Sequence, residues 1–218
     1  NMCSFLIVNF LLNPANIDKI NRLLLLRGPD ITNIDFLRGY TIIHNLLNIT
    51  GDITIQPFIE GDISITYNGE IYNAYELAAD LNIQIKSDGQ ILMPLYKKYG
   101  KDMFKLLDGE YCIVVNDFIR DELLMITDTF ATKPIYYDIN DGKEHFPRDI
   151  LLLSPSGRSV RQTVENFEEL FSTCFKSLGK MSLYTSVYCE RCRQSGRFGR
   201  VYIDLDGGSS YDDMQLIG

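Results

Sequence analysis

The segment Phe5-Leu6-Ile7-Val8, continuing through Phe10-Leu11-Leu12, constrains this chain more than any other. A run this apolar, without alternation, reads as a strand buried on both faces, so the fold must cover it on two sides. The material for such a core is present: 218 residues, 45% hydrophobic and 23% charged. The same run could serve as the core of a secretory signal. No Lys or Arg precedes it and no small-residue cleavage site follows, so the strand is the expectation. Nothing elsewhere approaches the roughly 20 apolar residues of a membrane span, and a soluble protein with no membrane partner is expected.

Charge and cysteine content narrow the class. Lys and Arg number 21 against 29 Asp and Glu, a net charge of -8, which argues against a surface built to neutralise phosphates and hence against nucleic acid as a partner. Five Cys form no dense even framework, so they are expected to be mostly reduced, in a cytoplasmic setting.

Short apolar strands separated by compact turns continue to about Asp138. Ile63-Ser64-Ile65-Thr66-Tyr67 alternates at period two, as a half-buried strand does. Asn73 followed by Glu76 resembles a capping box opening a short helix through Leu77 and Leu81, and Ser87 followed by Gln90 repeats the pattern before Leu92, Met93, Leu95 and Tyr96. Pro94 predicts a kink or a late start in that second helix, and Gly100 a stop. Tyr111 to Val115, Leu123 to Ile126, and Ile135-Tyr136-Tyr137 complete the strands. This order predicts an α+β layered domain. A boundary is expected in the 140s or 150s, giving a domain over 1–150 and a segment over 151–218. The latter holds an amphipathic helix behind Thr163, with Val164, Phe167, Leu170, Phe171, Cys174, Phe175 and Leu178 at helical spacing.

The pattern of short motifs is more specific than the elements. Met2-Cys3-Ser4-Phe5, Arg27-Gly28-Pro29-Asp30, Gln56-Pro57, Tyr67-Asn68-Gly69-Glu70-Ile71-Tyr72-Asn73, Ser87-Asp88-Gly89, Leu107-Asp108-Gly109-Glu110-Tyr111 and Asp128-Thr129-Phe130-Ala131-Thr132-Lys133-Pro134 follow in order. In order and spacing, residues 2 to 137 resemble the glutaminase domain of asparagine synthetase and other class II, N-terminal-nucleophile glutamine amidotransferases. The resemblance implies a four-layer αββα sandwich of two antiparallel sheets. It also implies hydrolysis of L-glutamine to glutamate and ammonia, with no metal or organic cofactor for that half-reaction.

Amide hydrolysis needs a nucleophile, a base and donors for the oxyanion. A terminal Cys supplies the first two, since its α-amine titrates at about 7.7 to 8.0. By the resemblance, Cys3 is the nucleophile, the Asn68 side chain and Gly69 N–H are the oxyanion donors, Asp88 receives the α-ammonium of glutamine, and Glu70 belongs to the same pocket. Leu46, Leu47 and Ile49 complete the substrate-binding set. Taken singly, each residue has a plainer reading: Cys3 a buried hydrophobe, Asn68-Gly69 a hairpin turn, Asp88 a helix cap.

Two departures bear on activity and keep a catalytically impaired module, retained for binding or subunit contact, as the alternative. As written, Asn1-Met2 precede Cys3 and block its α-amine; initiation at Met2 and removal of Met would restore it. Where the family has His, one residue, Arg and Leu, this chain has His44-Asn45-Leu46-Leu47, so the Arg that clamps the α-carboxylate is replaced by Leu46. Arg22 and Arg27 are the candidate substitutes.

The remaining signals are fainter. Cys189 and Cys192 have metal or redox spacing, but no second Cys pair accompanies them; His44 is expected to pack within its strand and His145 to lie in a loop. Val201 to Ser210 resembles an imperfect, truncated start of a synthetase domain, with Asp206 where a phosphate loop has Ser. ATP and Mg would matter only with a complete synthetase domain. The expected partners are glutamine, an ammonia-accepting synthetase domain or subunit, and a second copy of the chain in a homodimer.

Overall fold

The structure, a computed structural model, describes residues 3–48, 52–130, 132–133, 135–140, 149–154 and 182–184. Ile49, His145, the helix expected over 163–178, Cys189, Cys192 and the loop at 206–210 lie outside them. Along the chain run β1 (Ser4–Val8), α1 (Pro14–Leu24), β2 (Ile31–Leu37), β3 (Tyr40–Leu46), β4 (Phe58–Glu60), β5 (Ile63–Ile71) and α2 (Ala74–Asp80). They are followed by α3 (Leu92–Tyr99), β6 (Gly109–Asp117), β7 (Glu122–Thr127), β8 (Ile135–Asn140), β9 (Asp149–Ser154) and β10 (Ser182–Tyr184), with 3-10 turns at Asp88–Ile91 and Gly100–Lys105. The described residues divide into two compact units.

The first unit is an antiparallel sheet in the order β10-β8-β9-β1-β3-β2. As expected, β1 is buried on both faces: Phe5, Leu6, Ile7 and Val8 expose no surface. The strand ends at Val8, however, and does not continue through Leu12. Thr41 on β3 receives the departing chain, accepting from Leu12 N at 3.0 Å and donating to the Phe10 carbonyl at 2.8 Å. Asn13 then caps α1 through Oδ1, which accepts from Asn16 N at 2.9 Å, and Pro14 occupies the first turn. Ile17, Ile20 and Leu24 of α1 pack on Leu6, Val8 and Ile43. Burying side chains of this size stabilises by about 1.5–3 kcal/mol each. Ser4 Oγ donates to the Leu24 carbonyl at 2.9 Å, satisfying an end-of-helix acceptor. A two-residue turn joins β2 to β3 with positive φ at both Arg38 and Gly39, as tight hairpins require.

The second unit is the antiparallel sheet β4-β5-β6-β7 with α2 and α3 on one face. Ile65, Tyr67 and Ile71 of β5 and Tyr111, Ile113 and Val115 of β6 share a core with Ala78, Leu92, Leu95 and Tyr96. The alternate residues Ser64, Thr66, Asn68, Cys112 and Asn116 take the opposite face and are also buried. Pro94 sits in the first turn of α3, which starts late, at Leu92, and ends at Gly100 with φ 55°. Tyr96 reaches back to the β6–β7 turn, donating to Asp117 Oδ2 at 3.0 Å. That carboxylate also accepts from Arg120 Nη1 at 2.7 Å and from the N–H groups of Ile119 and Arg120.

The two expected capping boxes are not formed. Asn73 precedes α2 without capping it, because its amide is engaged elsewhere: Nδ2 donates to the Leu106 carbonyl at 2.8 Å and Oδ1 accepts from Asp108 N at 3.0 Å. Ser87 Oγ accepts from Thr54 Oγ1 at 2.8 Å, while Gln90 Oε1 accepts from the N–H of Lys86 at 2.8 Å. Both side chains satisfy backbone or hydroxyl groups that a local helix pattern does not reveal.

Candidate active site

In the first unit, Cys3 stands just before β1 and opposite the end of β3, since Ser4 pairs with Asn45. Its partly exposed thiol bridges Leu47: Leu47 N donates to Sγ at 3.4 Å, and Sγ faces the Leu47 carbonyl at 3.8 Å. Leu46, at the position of the expected carboxylate clamp, is buried. The loop after α1 is fitted tightly to this strand end. A Cβ on Gly28 would lie 2.1 Å from the Asn45 carbonyl oxygen, Asp30 N donates to the Leu46 carbonyl at 3.1 Å, and Asn48 N donates to Asp30 Oδ2 at 2.8 Å. Arg27 rides on this loop and is half-buried; desolvation lowers its pKa. Arg22, in the last turn of α1, is exposed. Beneath the loop, Asn45 donates to Asn21 Oδ1 at 2.9 Å and accepts from Thr32 Oγ1 at 2.5 Å, fixing β3 against α1 and β2. His44 is buried within β3 as expected.

In the second unit, Asn68 and Gly69 lie inside β5, not in a hairpin turn. Gly69 is required there: at φ 153°, an added Cβ would meet the Glu110 carbonyl oxygen at 2.1 Å and Tyr111 Cα at 2.6 Å. Tyr111, its ladder partner, spends its own polar groups on Asp128, donating from N to Oδ2 at 3.1 Å and accepting at O from Asp128 N at 2.9 Å. The Gly69–Tyr111 pair is therefore not hydrogen bonded, and Gly69 N–H points away from β6, along the edge shared by the N–H groups of Tyr67 and Ile71. Short β4 covers only Ile63 to Ile65 of that edge. Side chains take over beyond it. Tyr67 N donates to Gln56 Oε1 at 2.8 Å and Ile71 N donates to Asp88 Oδ2 at 2.8 Å, which also receives the Tyr67 hydroxyl. Between these two engaged donors, Gly69 N–H has no protein acceptor among the described residues. Asp88 thus sits about 7 Å along the strand from a free donor, a spacing of two residues.

On the face that carries Asn68, Glu70 lies directly across the ladder from Glu110. Glu110 Oε2 accepts from Lys133 Nζ at 2.7 Å, and Lys133 itself is almost wholly buried. Lys133, by hydrogen bond and by charge, with the Tyr72 hydroxyl adding a further bond, holds the Glu110 carboxyl below its ordinary value. Desolvation and then the carboxylates of Glu110, Glu70 and Asp108 hold the Tyr72 phenol above its own. Asp128 cinches the approach to Lys133, accepting from Phe130 N at 2.9 Å and from both the N–H and hydroxyl of Thr132 at 3.0 Å. Gln56, Glu110, Asp128 and Lys133 all stand within the short motifs, but nothing in the sequence around them signals these roles. Each has a partner 11 to 23 residues away, beyond any local pattern: Tyr67 for Gln56, Tyr111 for Asp128, and Lys133 with Glu110.

The expected site residues thus fall into two groups. Cys3, Leu46 and Leu47 belong to the first unit; Asn68, Gly69, Glu70 and Asp88 belong to the second. Among the described residues, no three His, Cys, Asp or Glu side chains converge as metal ligands, and no helix is long and apolar enough to cross a membrane.

The chain belongs to the glutamine amidotransferase domain family, whose model matches residues 2–189. Within it, the chain resembles asparagine synthetases. It is 32% identical over 150 residues to asparagine synthetase [glutamine-hydrolyzing] 2 of Oryza sativa subsp. japonica, covering 64% of this chain and 25% of that one. It is 31% identical over 139 residues to a probable asparagine synthetase of Acanthamoeba polyphaga mimivirus, covering 58% and 24%. The chain therefore spans about a quarter of the length of these relatives. The solved glutamine phosphoribosylpyrophosphate amidotransferase of B. subtilis, complexed with ADP and GMP, shares the fold at a TM-score of 0.52 and 16% identity, over 69% of this chain and 41% of that one.

Proposed function

We propose that this chain is a glutaminase domain that hydrolyses L-glutamine to glutamate and ammonia through the thiol of Cys3. The observation that carries this reading is the open N–H of Gly69, flanked on one strand edge by donors that Gln56 and Asp88 have already engaged. A lone donor beside a carboxylate suits an amide carbonyl at one end of a ligand and an ammonium at the other.

In the proposed reaction the Cys3 sulfur attacks the side-chain amide carbon. The oxyanion is held by Gly69 N–H and the Asn68 amide, and ammonia leaves with a proton delivered by the Cys3 α-amine. Water then attacks the thioester and releases glutamate. Leu47 N–H, aimed at Sγ, stabilises negative charge on the sulfur. Each oxyanion donor contributes about 2.7–4 kcal/mol to the transition state. Asp88 takes the α-ammonium and Glu70 supports it. The chemistry as written calls for no metal or organic cofactor. In a longer protein the ammonia passes to a synthetase domain or subunit.

A second reading, an impaired module that binds without turnover, is favoured by Leu46, an apolar side chain where the resemblance calls for a carboxylate clamp. One experiment separates the two. Protein processed so that Cys3 is the N-terminal residue is assayed for ammonia release from glutamine and for labelling by a glutamine-like electrophile. Release, with label on Cys3 alone and abolished in Cys3→Ala, is expected. Label on Cys112, or none with no ammonia, overturns the glutaminase reading.

A further inference from the structure

We propose that Lys133 is a positioning residue for the amide substrate: by neutralising Glu110 it leaves Glu70 as the one uncompensated carboxylate of the facing Glu70–Glu110 pair on the strand face that carries Asn68. This deepens the glutaminase reading and rests on it. Glu70 and Glu110 are directly opposed on neighbouring strands and share one face, an arrangement in which like charges destabilise each other. Lys133 resolves the conflict from one side only. Its ammonium donates to Glu110 Oε2 at 2.7 Å, whereas the Glu70 side chain is exposed and its carboxylate makes no hydrogen bond or ion pair among the described residues.

The ion pair also has a steric side. Gly69 lies so close to Glu110 that a Cβ would sit 2.1 Å from the Glu110 carbonyl oxygen, so any shift of Glu110 is passed to the oxyanion donor. Lys133 is held in turn by the turn that Asp128 closes through Phe130 and Thr132. A buried lysine at the end of a turn fastened in this way fixes a charge, and with it the strand segment that offers Gly69 N–H.

Without Lys133 two facing carboxylates would compete for the ammonium of the substrate. Binding would persist, but the amide would move off the donor, and an error of about 1 Å in such geometry lowers turnover by up to two orders of magnitude. The test compares wild type, Lys133→Met, Lys133→Arg and Lys133→Met with Glu110→Gln, all with Cys3 N-terminal, by steady-state ammonia release. Lys133→Met should lower kcat about tenfold or more with KM within about threefold, Lys133→Arg should retain most of kcat, and adding Glu110→Gln should restore kcat to within about threefold of wild type. A purely structural lysine would not be rescued by removing its partner's charge. Active wild type with an unchanged Lys133→Met, or a double variant as slow as the single one, overturns the role of Lys133 alone. Inactive wild type overturns the glutaminase reading and this inference with it. Should Lys133→Met not fold, the double variant and Lys133→Arg decide the matter by the same criteria.

Discussion

Substituting Gly69 by Ala tests the site and the sheet together. The added methyl would stand 2.1 Å from the Glu110 carbonyl oxygen and 2.6 Å from Tyr111 Cα, at a backbone φ of 153°. Neither neighbour can retreat freely. Tyr111 is tied at both its N–H and its carbonyl to Asp128, at 3.1 and 2.9 Å, and Glu110 is pinned by Lys133. Relief of the overlap means parting β5 from β6 or breaking a bond to the Asp128 carboxylate, and the φ itself disfavours a Cβ. Together these costs come to roughly 3–5 kcal/mol. For a chain of this size that corresponds to a fall in Tm of about 10 °C. Gly39 is the control: its φ is 88°, but nothing lies within 4 Å of an added Cβ, so Gly39→Ala should cost only the backbone strain, ~1 kcal/mol. Thermal melting followed by circular dichroism reads both, and ammonia release at a temperature where both remain folded should be lost only in Gly69→Ala. Equal melting temperatures for the two variants would refute the close approach on which the donor geometry depends.

Other expectations follow from single contacts. Asn73→Asp can still accept from Asp108 N but cannot donate to the Leu106 carbonyl, so it should destabilise by ~1 kcal/mol in urea denaturation, and Asn73→Ala, which loses both bonds, by more; full stability of the Asp variant would restore the capping box. Asp117 has a lowered pKa: burial opposes ionisation, but hydrogen bonds from Arg120, Tyr96 and Ile119 outweigh it. Its contribution is therefore complete above the unfolded carboxylate value of about 3.9 and is lost as pH falls through the lower folded value. Tyr96→Phe should reduce stability at neutral pH by about 1–2 kcal/mol, and Asp117→Asn should flatten the acid limb of the stability curve; an unchanged limb counts against the assignment. Leu46→Arg should lower KM for glutamine by about ten- to a hundredfold if the clamp position is as proposed, and no change in KM would remove Leu46 from the site.

Elements that announce themselves by period were legible. The alternation from Ile63 to Tyr67 marked β5, Tyr111 to Val115 marked β6, and the unbroken run from Phe5 marked a strand buried on both faces. Helix α1 was not legible in the same way, because the apolar run flows past Val8 to Leu12; Asn13-Pro14 and the spacing of Ile17, Ile20 and Leu24 are its start and its face. The capping boxes misled for the converse reason. Asn73 and Ser87 have the right local spacing, but partners 33 residues away, Leu106 and Thr54, claim their side chains. At the proposed site, motif order singled out Cys3, Asn68, Gly69 and Asp88 as candidates. What it could not supply is the work of Gln56, Asp128 and Lys133, whose contacts to Tyr67, Tyr111 and Glu110 exist only once distant segments are brought together.

The side-chain caps on β5 have a consequence for the solubility of the folded chain. An uncovered strand edge is a template on which another molecule can add a strand, and several consecutive outward N–H groups are what such pairing needs. On β5, Gln56 and Asp88 occupy the positions on either side of Gly69. The edge therefore offers a single outward N–H between two engaged ones, too few for a second polypeptide to add a strand, so the open donor at Gly69 coexists with resistance to edge-to-edge aggregation.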